Sequence, residues 1–161
     1  MSYPVRVRFL GVDYGGKRIG LALSDASATL ARPWETVLAA GSPSKSAFVV
    51  RERLERFARE TLGDERIDAI VVGLPRRLNG ADNEQTAGAR QFAAALADAV
   101  GLPVHLQDER LTSHEAEMQL SERERDWRAR KEKLDAAAAA IILQDYLDHH
   151  VDAASGGGPS T

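Results

Sequence analysis

The sequence contains no cysteine among its 161 residues. That absence excludes a disulfide framework, a thiolate metal site and a cysteine nucleophile. It also lacks long hydrophobic runs, since the longest nearly apolar stretch, residues 136–143, is far too short to cross a membrane. The amino-terminal region has no apolar segment long enough for a signal peptide. We therefore expect a soluble, cytoplasmic protein that does not bind membranes.

No excess of positive charge is present. The chain carries 21 Lys and Arg residues against 24 Asp and Glu residues, a formal net charge of −3. Any binding of nucleic acid must therefore depend on local basic patches. The length suits one compact domain and is too short for a two-domain kinase or a TIM barrel. We expect residues 1–151 to form that domain and the Gly-rich residues 152–161 to be a disordered tail.

Alternating apolar residues predict strands in the first part of the chain. Residues 5–13 form the first predicted strand, which enters the core towards its end. Gly15 and Gly16 favour a turn over residues 14–17, and residues 19–23 form a second strand. A weaker third strand is expected within residues 28–37, where Pro33 indicates an edge position.

Helices and strands alternate in the remaining sequence. One helix is predicted from Ser42 to Gly63, a second helix ends at Gly101, and a third helix spans residues 134–151. Strands are predicted over residues 67–72 and 103–107. A further helix start is indicated at Thr112 and Ser113. The apolar stripe predicted for the first helix consists of Phe48, Val49, Leu54, Phe57 and Leu62. This order of elements predicts one α/β domain with a mixed sheet.

Three acidic residues lie at the ends of predicted strands or at the start of a predicted helix. Asp13 ends the first predicted strand, and Glu109 follows the strand over residues 103–107. Ligands usually bind where parallel strands end, so Glu109 approaches Asp13 if their strands are neighbours, while Asp108 points to the other side. Asp135 begins a helical stripe that continues through Ala138, Ala139, Ile142 and Tyr146.

Each acid also has a purely structural interpretation. Asp13 would cap a turn, Glu109 would be a solvated loop charge, and Asp135 would be a first-turn acid stabilised by the helix dipole. Asp135 faces the predicted core, which favours a functional role, and Asp25 is a secondary candidate. Three acids brought together would need a cation, and an all-oxygen site favours Mg²⁺ or Mn²⁺. Two such ions can promote phosphodiester cleavage.

Basic residues accompany the acids and are candidates for contacts with nucleic-acid phosphates. They are Lys17, Arg18, Arg76, Arg77, Arg110, Lys131 and Lys133. Residues 121–133 carry charges of both signs, so a solvated helix is the alternative for that segment. Trp127 within it is interpreted as a docking residue.

Four segments together resemble the YqgF/RuvX family of RNase H-like nucleases, described as Holliday junction resolvases and as pre-16S rRNA nucleases. They are residues 10–20 (LGVDYGGKRIG), 71–75 (VVGLP), 108–112 (DERLT), and 133–135 (KLD) with 142–147 (ILQDYL). The resemblance extends over nearly all of residues 5–148, and the ordered set is specific although each segment alone is weak.

The resemblance implies an RNase H-like α/β fold, with a five-stranded mixed sheet flanked by helices. It implies Asp13, Glu109 and Asp135 as catalytic, metal-binding residues, with Mg²⁺ or Mn²⁺ as cofactor. Two departures are Gly16, where a larger residue is expected, and the additional basic pair Arg76-Arg77. A fourth carboxylate, as found in RuvC, is absent because Ala138 occupies that position.

Three functions remain open from the sequence. The first is a metal-dependent, structure-selective endonuclease acting on branched DNA or precursor ribosomal RNA. The second is a nucleic-acid-binding module without catalysis. The third, an actin-like or sugar-kinase ATPase, ranks last because the chain is too short for a second lobe. Resolving a four-way junction requires two active sites and hence a homodimer, whereas trimming an RNA end does not.

Overall fold

A computed structural model of the protein describes residues 7–60, 66–109 and 127–150, with side chains of the last segment given from residue 134. These residues form a five-stranded sheet in the order β3-β2-β1-β4-β5. The strands are β1 (Phe9–Tyr14), β2 (Arg18–Ser24), β3 (Ala31–Leu38), β4 (Ala69–Leu74) and β5 (Val104–Asp108). The helices are α1 (Pro43–Glu60), α2 (Thr86–Val100) and α3 (Trp127–His150).

The sheet is mixed, as predicted. Strands β1, β2 and β3 form an antiparallel meander, while β4 and β5 are parallel to β1. β3 lies at the sheet edge, where Pro33 is tolerated beside an irregularity in the register at Leu21 and Ala22. The carboxyl ends of β1, β4 and β5 therefore meet along one edge. This is the RNase H-like arrangement that the resemblance implies.

The two faces of the sheet have different cores. One face packs against α1 and α2 through large side chains, including Leu10, Ile19, Ile70, Phe92 and Leu96, all fully buried. Among the described helices, α3 is the one that packs against the other face, whose core contains several alanines together with Phe9, Val71, Ile142 and Leu143. Successive side chains of each strand point to opposite faces of the sheet and so belong to two separate packing layers.

Helix α1 begins as the sequence predicts but buries a different stripe. Ser42 caps it, because the backbone N–H of Lys45 donates to the Ser42 hydroxyl over 3.2 Å. The predicted stripe is wrong in part, since Phe48 is 54% exposed. Leu54 of the predicted stripe is buried, but the other buried positions of the helix are Ser46, Ala47 and Val50. Leu62 and Gly63 lie outside the described residues.

Helix α2 ends before Gly101, as the sequence predicts. Ala89, Phe92, Ala93 and Leu96 are buried. Gly101 ends the helix in the left-handed conformation, with φ at 71°, and its N–H donates to the Ala97 carbonyl.

Helix α3 begins earlier than predicted, at Trp127 instead of Leu134. Asp135 therefore lies in the third turn, so the interpretation as a first-turn acid stabilised by the helix dipole is wrong. Its stripe is confirmed, because Ala138, Ala139 and Ile142 are buried. The predicted helix start at residues 112–113 and the predicted tail at 152–161 lie outside the described residues. Within the described ranges, no helix is long and apolar enough to span a bilayer.

Candidate functional site

The site is organised by one row of residues that crosses the sheet near the carboxyl end of β1. Asp13 pairs with Gly20 of β2, and Gly73 of β4 pairs with Gln107 of β5. The register of β1 and β4, which ends with Val12 opposite Val72, places Gly73 beside Asp13. Asp13 consequently stands between two glycines on the face that α3 covers.

Gly20 lets α3 approach the sheet at the position of Asp135. A Cβ added at Gly20 would overlap the Asp135 carbonyl oxygen, and one added at Gly11 would lie 2.9 Å from the Ala139 carbonyl oxygen. Both contacts are with helix backbone, so a side chain at either strand position would displace α3. Backbone proximity at Gly20 therefore places Asp135 over β2, next to Asp13.

Glu109 reaches the site from the other side, although its strand is not a neighbour of β1. Strand β4 lies between β1 and β5, so the condition of neighbouring strands is not met and Glu109 must approach Asp13 across β4. A Cβ at Gly73 would lie 3.0 Å from Glu109 Oε2. The missing side chain of Gly73 thus leaves room for Glu109 to extend across β4 towards Asp13.

The electrostatics show that these carboxyl groups interact. Burial, with the nearby charge of Asp135, raises the pKa of Asp13 to about 7. Burial, with the charges of Asp13 and Asp108, raises the pKa of Glu109 to about 8. Asp13 is therefore coupled to both other predicted acids, and negative charge is disfavoured here unless a cation is added.

Arg18 supplies one positive charge at the site. Its Nε donates to Asp135 Oδ2 over 2.8 Å, and both side chains are about three-quarters buried. Arg18 lies two residues before Gly20 on β2, so both residues are on the same face of that strand. Gly20 leaves space for α3, and the Arg18 guanidinium binds the carboxylate of Asp135 on that helix.

The donor chemistry fits a divalent cation, although no ready-made metal centre is present. Within the described ranges, no three His, Cys, Asp or Glu side chains are grouped closely enough to hold a metal ion. Arg18 holds one oxygen of Asp135. Glu109 Oε2, however, is buried without a hydrogen-bond partner. An unsatisfied buried carboxylate oxygen beside coupled acids is a donor suited to Mg²⁺ or Mn²⁺.

Asp108 points away from Glu109, as the alternation of a strand requires. It lies 3.8 Å from the Arg76 guanidinium, which is also 3.7 Å from Asp82. Arg76 therefore links the loop after β4 to the end of β5. This link lies beside Asp13, Glu109 and Asp135, which are called the acidic row below.

The structure describes some of the other basic residues that are predicted to contact phosphate. Lys17 and Arg77 are exposed near the edge where Asp13 lies. Arg77 Nε donates to the Asp82 carbonyl over 3.2 Å, which orients its side chain along the loop. Arg110 and the side chains of Lys131 and Lys133 lie outside the described residues.

Asp25 does not join the site. It follows β2 at the opposite edge of the sheet, where Ala26 accepts a hydrogen bond from the Val7 N–H. Burial would raise the pKa of Asp25, but hydrogen bonds from Thr29, Leu30 and Ser27 lower it to about 2. The residue stabilises a turn.

Sequence reasoning missed the glycines that shape the site. The sequence-based prediction gives Gly20 and Gly73 no role of their own. A glycine inside a strand often marks a close approach by another backbone or by a ligand, and that signal was present at both positions. Gly16, by contrast, has open space around it, so the departure from the expected larger residue leaves no gap in the core.

Comparisons with known proteins give matches over most of the chain. A family model described as "RuvX: Holliday junction resolvase" matches residues 7–149. A "Putative pre-16S rRNA nuclease" of Pelotomaculum thermopropionicum is 38% identical over 142 residues, covering 88% of this chain and 87% of the relative. Another with that name from Burkholderia ambifaria is 43% identical over 148 residues, covering 89% and 90%.

Similar solved structures include RuvC of Thermus thermophilus, 19% identical over 88% of this chain and 96% of that chain, with a TM-score of 0.46. A ROK hexokinase from Thermus thermophilus is 23% identical over 70% of this chain and 39% of that chain, with a TM-score of 0.42. The match to the family model and the identity with relatives each extend over most of the chain, and the protein therefore belongs to the RuvX family.

Proposed function

We propose that this RuvX-family nuclease is a divalent-metal-dependent, structure-selective endonuclease that hydrolyses phosphodiester bonds in branched DNA or at the 5′ end of pre-16S rRNA. The observation that carries the proposal is the coupling of Asp13 to Asp135 and Glu109, together with the unsatisfied buried oxygen of Glu109. Carboxyl groups whose ionisation is disfavoured at neutral pH, at the carboxyl edge of a sheet, are typical of a catalytic metal site.

Asp13, Glu109 and Asp135 would hold the Mg²⁺ or Mn²⁺. When bound, such a cation activates water and stabilises the leaving oxygen of the phosphodiester. Asp13 has the central position, because both partner acids are placed beside it over a glycine. Arg18 holds Asp135 near Asp13 by a hydrogen bond from its guanidinium.

The basic residues near this edge would bind the sugar-phosphate backbone and orient the scissile bond. The proposed set is Lys17, Arg18, Arg76, Arg77, Arg110, Lys131 and Lys133. Symmetrical cleavage of a four-way junction would require a homodimer, whereas processing of an RNA end would not. We expect a protein that acts on either substrate to be cytoplasmic.

The test uses purified protein with a labelled four-way DNA junction and a 5′-extended ribosomal RNA precursor, each in Mn²⁺ and in EDTA. We expect cleavage in Mn²⁺ only. Asp13→Asn, Glu109→Gln and Asp135→Asn should each lower it by about 10³-fold or more while substrate binding is retained. Asp98→Asn, an exposed acid on α2, serves as the matched control.

The substrate that is cleaved distinguishes the two activities. Junction cleavage would identify a resolvase and make the mass of the complex in solution the next measurement. Cleavage of RNA alone would identify an rRNA-processing nuclease. Full activity of Asp13→Asn would contradict the proposal, and metal-independent binding of either substrate without cleavage would favour a non-catalytic binding module.

A further inference from the structure

The Asp135 carboxylate already has a partner within the protein. The Arg18 Nε donates to Asp135 Oδ2 over 2.8 Å, and the two side chains are 29% and 26% exposed. The same carboxylate is one of the three that would hold the divalent cation. Arg18 and the cation therefore share one carboxylate, and each must affect the binding of the other.

Of the two residues in this ion pair, Arg18 is the one that can move. The backbone of Asp135 is fixed against β2, because its carbonyl oxygen lies where a Cβ of Gly20 would be, and the following residue, Ala136, is buried. Arg18, by contrast, is the first residue of β2 and has a long side chain with many rotamers. If the ion pair opens, the guanidinium changes place and the carboxylate stays beside Asp13.

The charges oppose simultaneous binding of Arg18 and a cation to Asp135. A cation held by Asp13 and Asp135 would lie next to the guanidinium, and like charges in a partly buried site repel with little screening by salt. Among the described residues, Asp135 is the one hydrogen-bond partner of the Arg18 side chain, through Nε, so the other N–H groups of the guanidinium are available to an anion. A phosphate group binds a guanidinium in a bidentate way and also binds divalent cations.

We propose that Arg18 makes metal binding dependent on nucleic acid: its guanidinium competes with the divalent cation for Asp135 and releases that carboxylate when a phosphate of the substrate binds to Arg18. The inference rests on the proposed nuclease function and adds a regulation of the same site. By thermodynamic linkage the effect is reciprocal, so nucleic acid and the cation strengthen each other's binding by the same factor. The phosphate is common to DNA and RNA.

The first measurement is the affinity for Mn²⁺ without nucleic acid, obtained from the signal of free Mn²⁺ in electron paramagnetic resonance. It compares wild type with Arg18→Gln, Arg18→Lys and Arg51→Gln. We expect Arg18→Gln to bind Mn²⁺ about tenfold more tightly than wild type, because the competing charge is removed. Arg18→Lys keeps the positive charge, so its affinity should stay within about twofold of wild type.

Arg51→Gln is the matched control. The Arg51 Nε also donates to a carboxylate, Glu55 Oε2 at 3.1 Å, and that pair is partly exposed. The pair belongs to α1, which covers the sheet face away from the acidic row, so this variant should bind Mn²⁺ as wild type does. Arg18 itself lies outside both apolar cores, so its replacement leaves their packing intact.

The direction of the change separates the proposal from simpler roles for Arg18. Replacing a residue that only positions Asp135 would weaken the binding of Mn²⁺, and replacing a residue that only contacts phosphate would leave it unchanged. Either result for Arg18→Gln would overturn the proposal.

The second measurement is the affinity for nucleic acid in Mn²⁺ and in EDTA at equal ionic strength. Fluorescence anisotropy is recorded in the cold with a labelled four-way junction or RNA precursor, and a denaturing gel checks that each is intact. We expect Mn²⁺ to tighten binding by wild type about tenfold and binding by Arg18→Gln less than about twofold. Mn²⁺ that binds the nucleic acid itself acts on both proteins alike. An equal effect of Mn²⁺ on the two proteins would overturn the proposal.

Cleavage assays distinguish failure of this inference from failure of the proposed function. Metal-dependent cleavage without any coupling through Arg18 would contradict the regulation alone. Coupling that depends on Arg18, without cleavage of either substrate, would contradict the nuclease function alone. Absence of Mn²⁺ binding in both wild type and Arg18→Gln would contradict both. The junction and RNA versions show which nucleic acid is engaged.

Discussion

The two faces of the sheet show contrasting solutions to packing a helix against strands. The face under α1 and α2 is filled by large side chains such as Leu10, Ile70 and Phe92, which keep the helices at a distance from the strands. The face under α3 has glycines at positions 11, 20 and 73, where added side chains would collide with the helix or with Glu109. The first face supplies stability through apolar burial, whereas the second places polar groups close together.

This difference explains where the charges lie. Close helix approach puts Asp135 beside Asp13, and the gap over Gly73 admits Glu109. Withdrawing these acids from water costs free energy, which the aliphatic packing on the opposite face offsets. Variants on the two faces should therefore separate activity from stability.

Among the variants that compare the two faces, the largest effect is expected for Gly20→Ala. The new methyl group would overlap the Asp135 carbonyl oxygen, so α3 must shift, and we expect cleavage to fall by about 10²-fold. Overpacking should also lower the free energy of unfolding by about 3 kcal/mol. Steady-state cleavage and urea unfolding measure both quantities.

Gly16→Ala is the matched control for that substitution. A Cβ at Gly16 has no neighbour within 4 Å, so its activity and stability should remain close to wild type. Similar losses in both variants would show that glycine itself, and not the helix contact, is required.

Leu96→Ala tests the opposite face. Leu96 is fully buried, and its truncation should lower the free energy of unfolding by about 3 kcal/mol through lost burial and cavity formation. At a temperature where the variant stays folded, its kcat should change less than about twofold. A large fall in kcat without unfolding would mean that the two faces are not functionally separate.

A smaller effect is expected from pH in metal-free protein. Asp13 and Glu109 have pKa values of about 7 and 8 in the fold, above their ordinary values of 3.8 and 4.5. Between the ordinary and the raised pKa values, the unfolded chain binds fewer protons than the folded protein. The contribution of Asp13 and Glu109 to stability is therefore greatest below about pH 4 and decreases as pH rises towards 8. Asp13→Asn should raise the free energy of unfolding at pH 8 by about 1–3 kcal/mol in EDTA.

Unfolding of wild type and Asp13→Asn at pH 5 and pH 8 measures this difference directly. Asp25 has the opposite sign, because its pKa is lowered to about 2 and its stabilisation is lost as pH falls below about 4. An identical pH dependence in wild type and Asp13→Asn would contradict the assignment to Asp13.

The smallest effect is expected for Gly73→Ala. The added Cβ would meet the ends of two side chains, Ile142 Cδ1 at 2.6 Å and Glu109 Oε2 at 3.0 Å, and both can move. Stability should change by less than about 1 kcal/mol. Displacement of Glu109 should lower cleavage by about tenfold and raise the Mn²⁺ concentration needed for half-maximal activity. A loss of cleavage as large as that of Gly20→Ala would contradict this reasoning, because Gly20→Ala collides with helix backbone and Gly73→Ala only with side chains.

Much of the fold followed from local patterns. Alternation located the strands within a few residues, and Ser42 and Gly101 marked helix ends by chemistry that acts within one turn. The stripe through Ala138, Ala139 and Ile142 correctly predicted that the helix carrying Asp135 faces the sheet.

The order of strands could not be obtained in this way. Local periodicity does not specify that β4 lies between β1 and β5, so the route by which Glu109 reaches Asp13 could not be predicted. The start of α3 at Trp127 was missed because mixed charges at residues 127–133 lack an apolar period. The stripe of α1 was misplaced because Phe48 and Val49 were given more weight than the smaller Ser46 and Ala47.

The hydrogen bond between Arg18 and Asp135 connects residues 117 positions apart in the chain. The acidic row therefore cannot assemble on a nascent chain until almost the whole domain has left the ribosome and α3 has docked. Contacts of such long range are formed late and slowly relative to local ones. If the proposed function is correct, a chain truncated before residue 135 would lack the third acid and should not cleave nucleic acid.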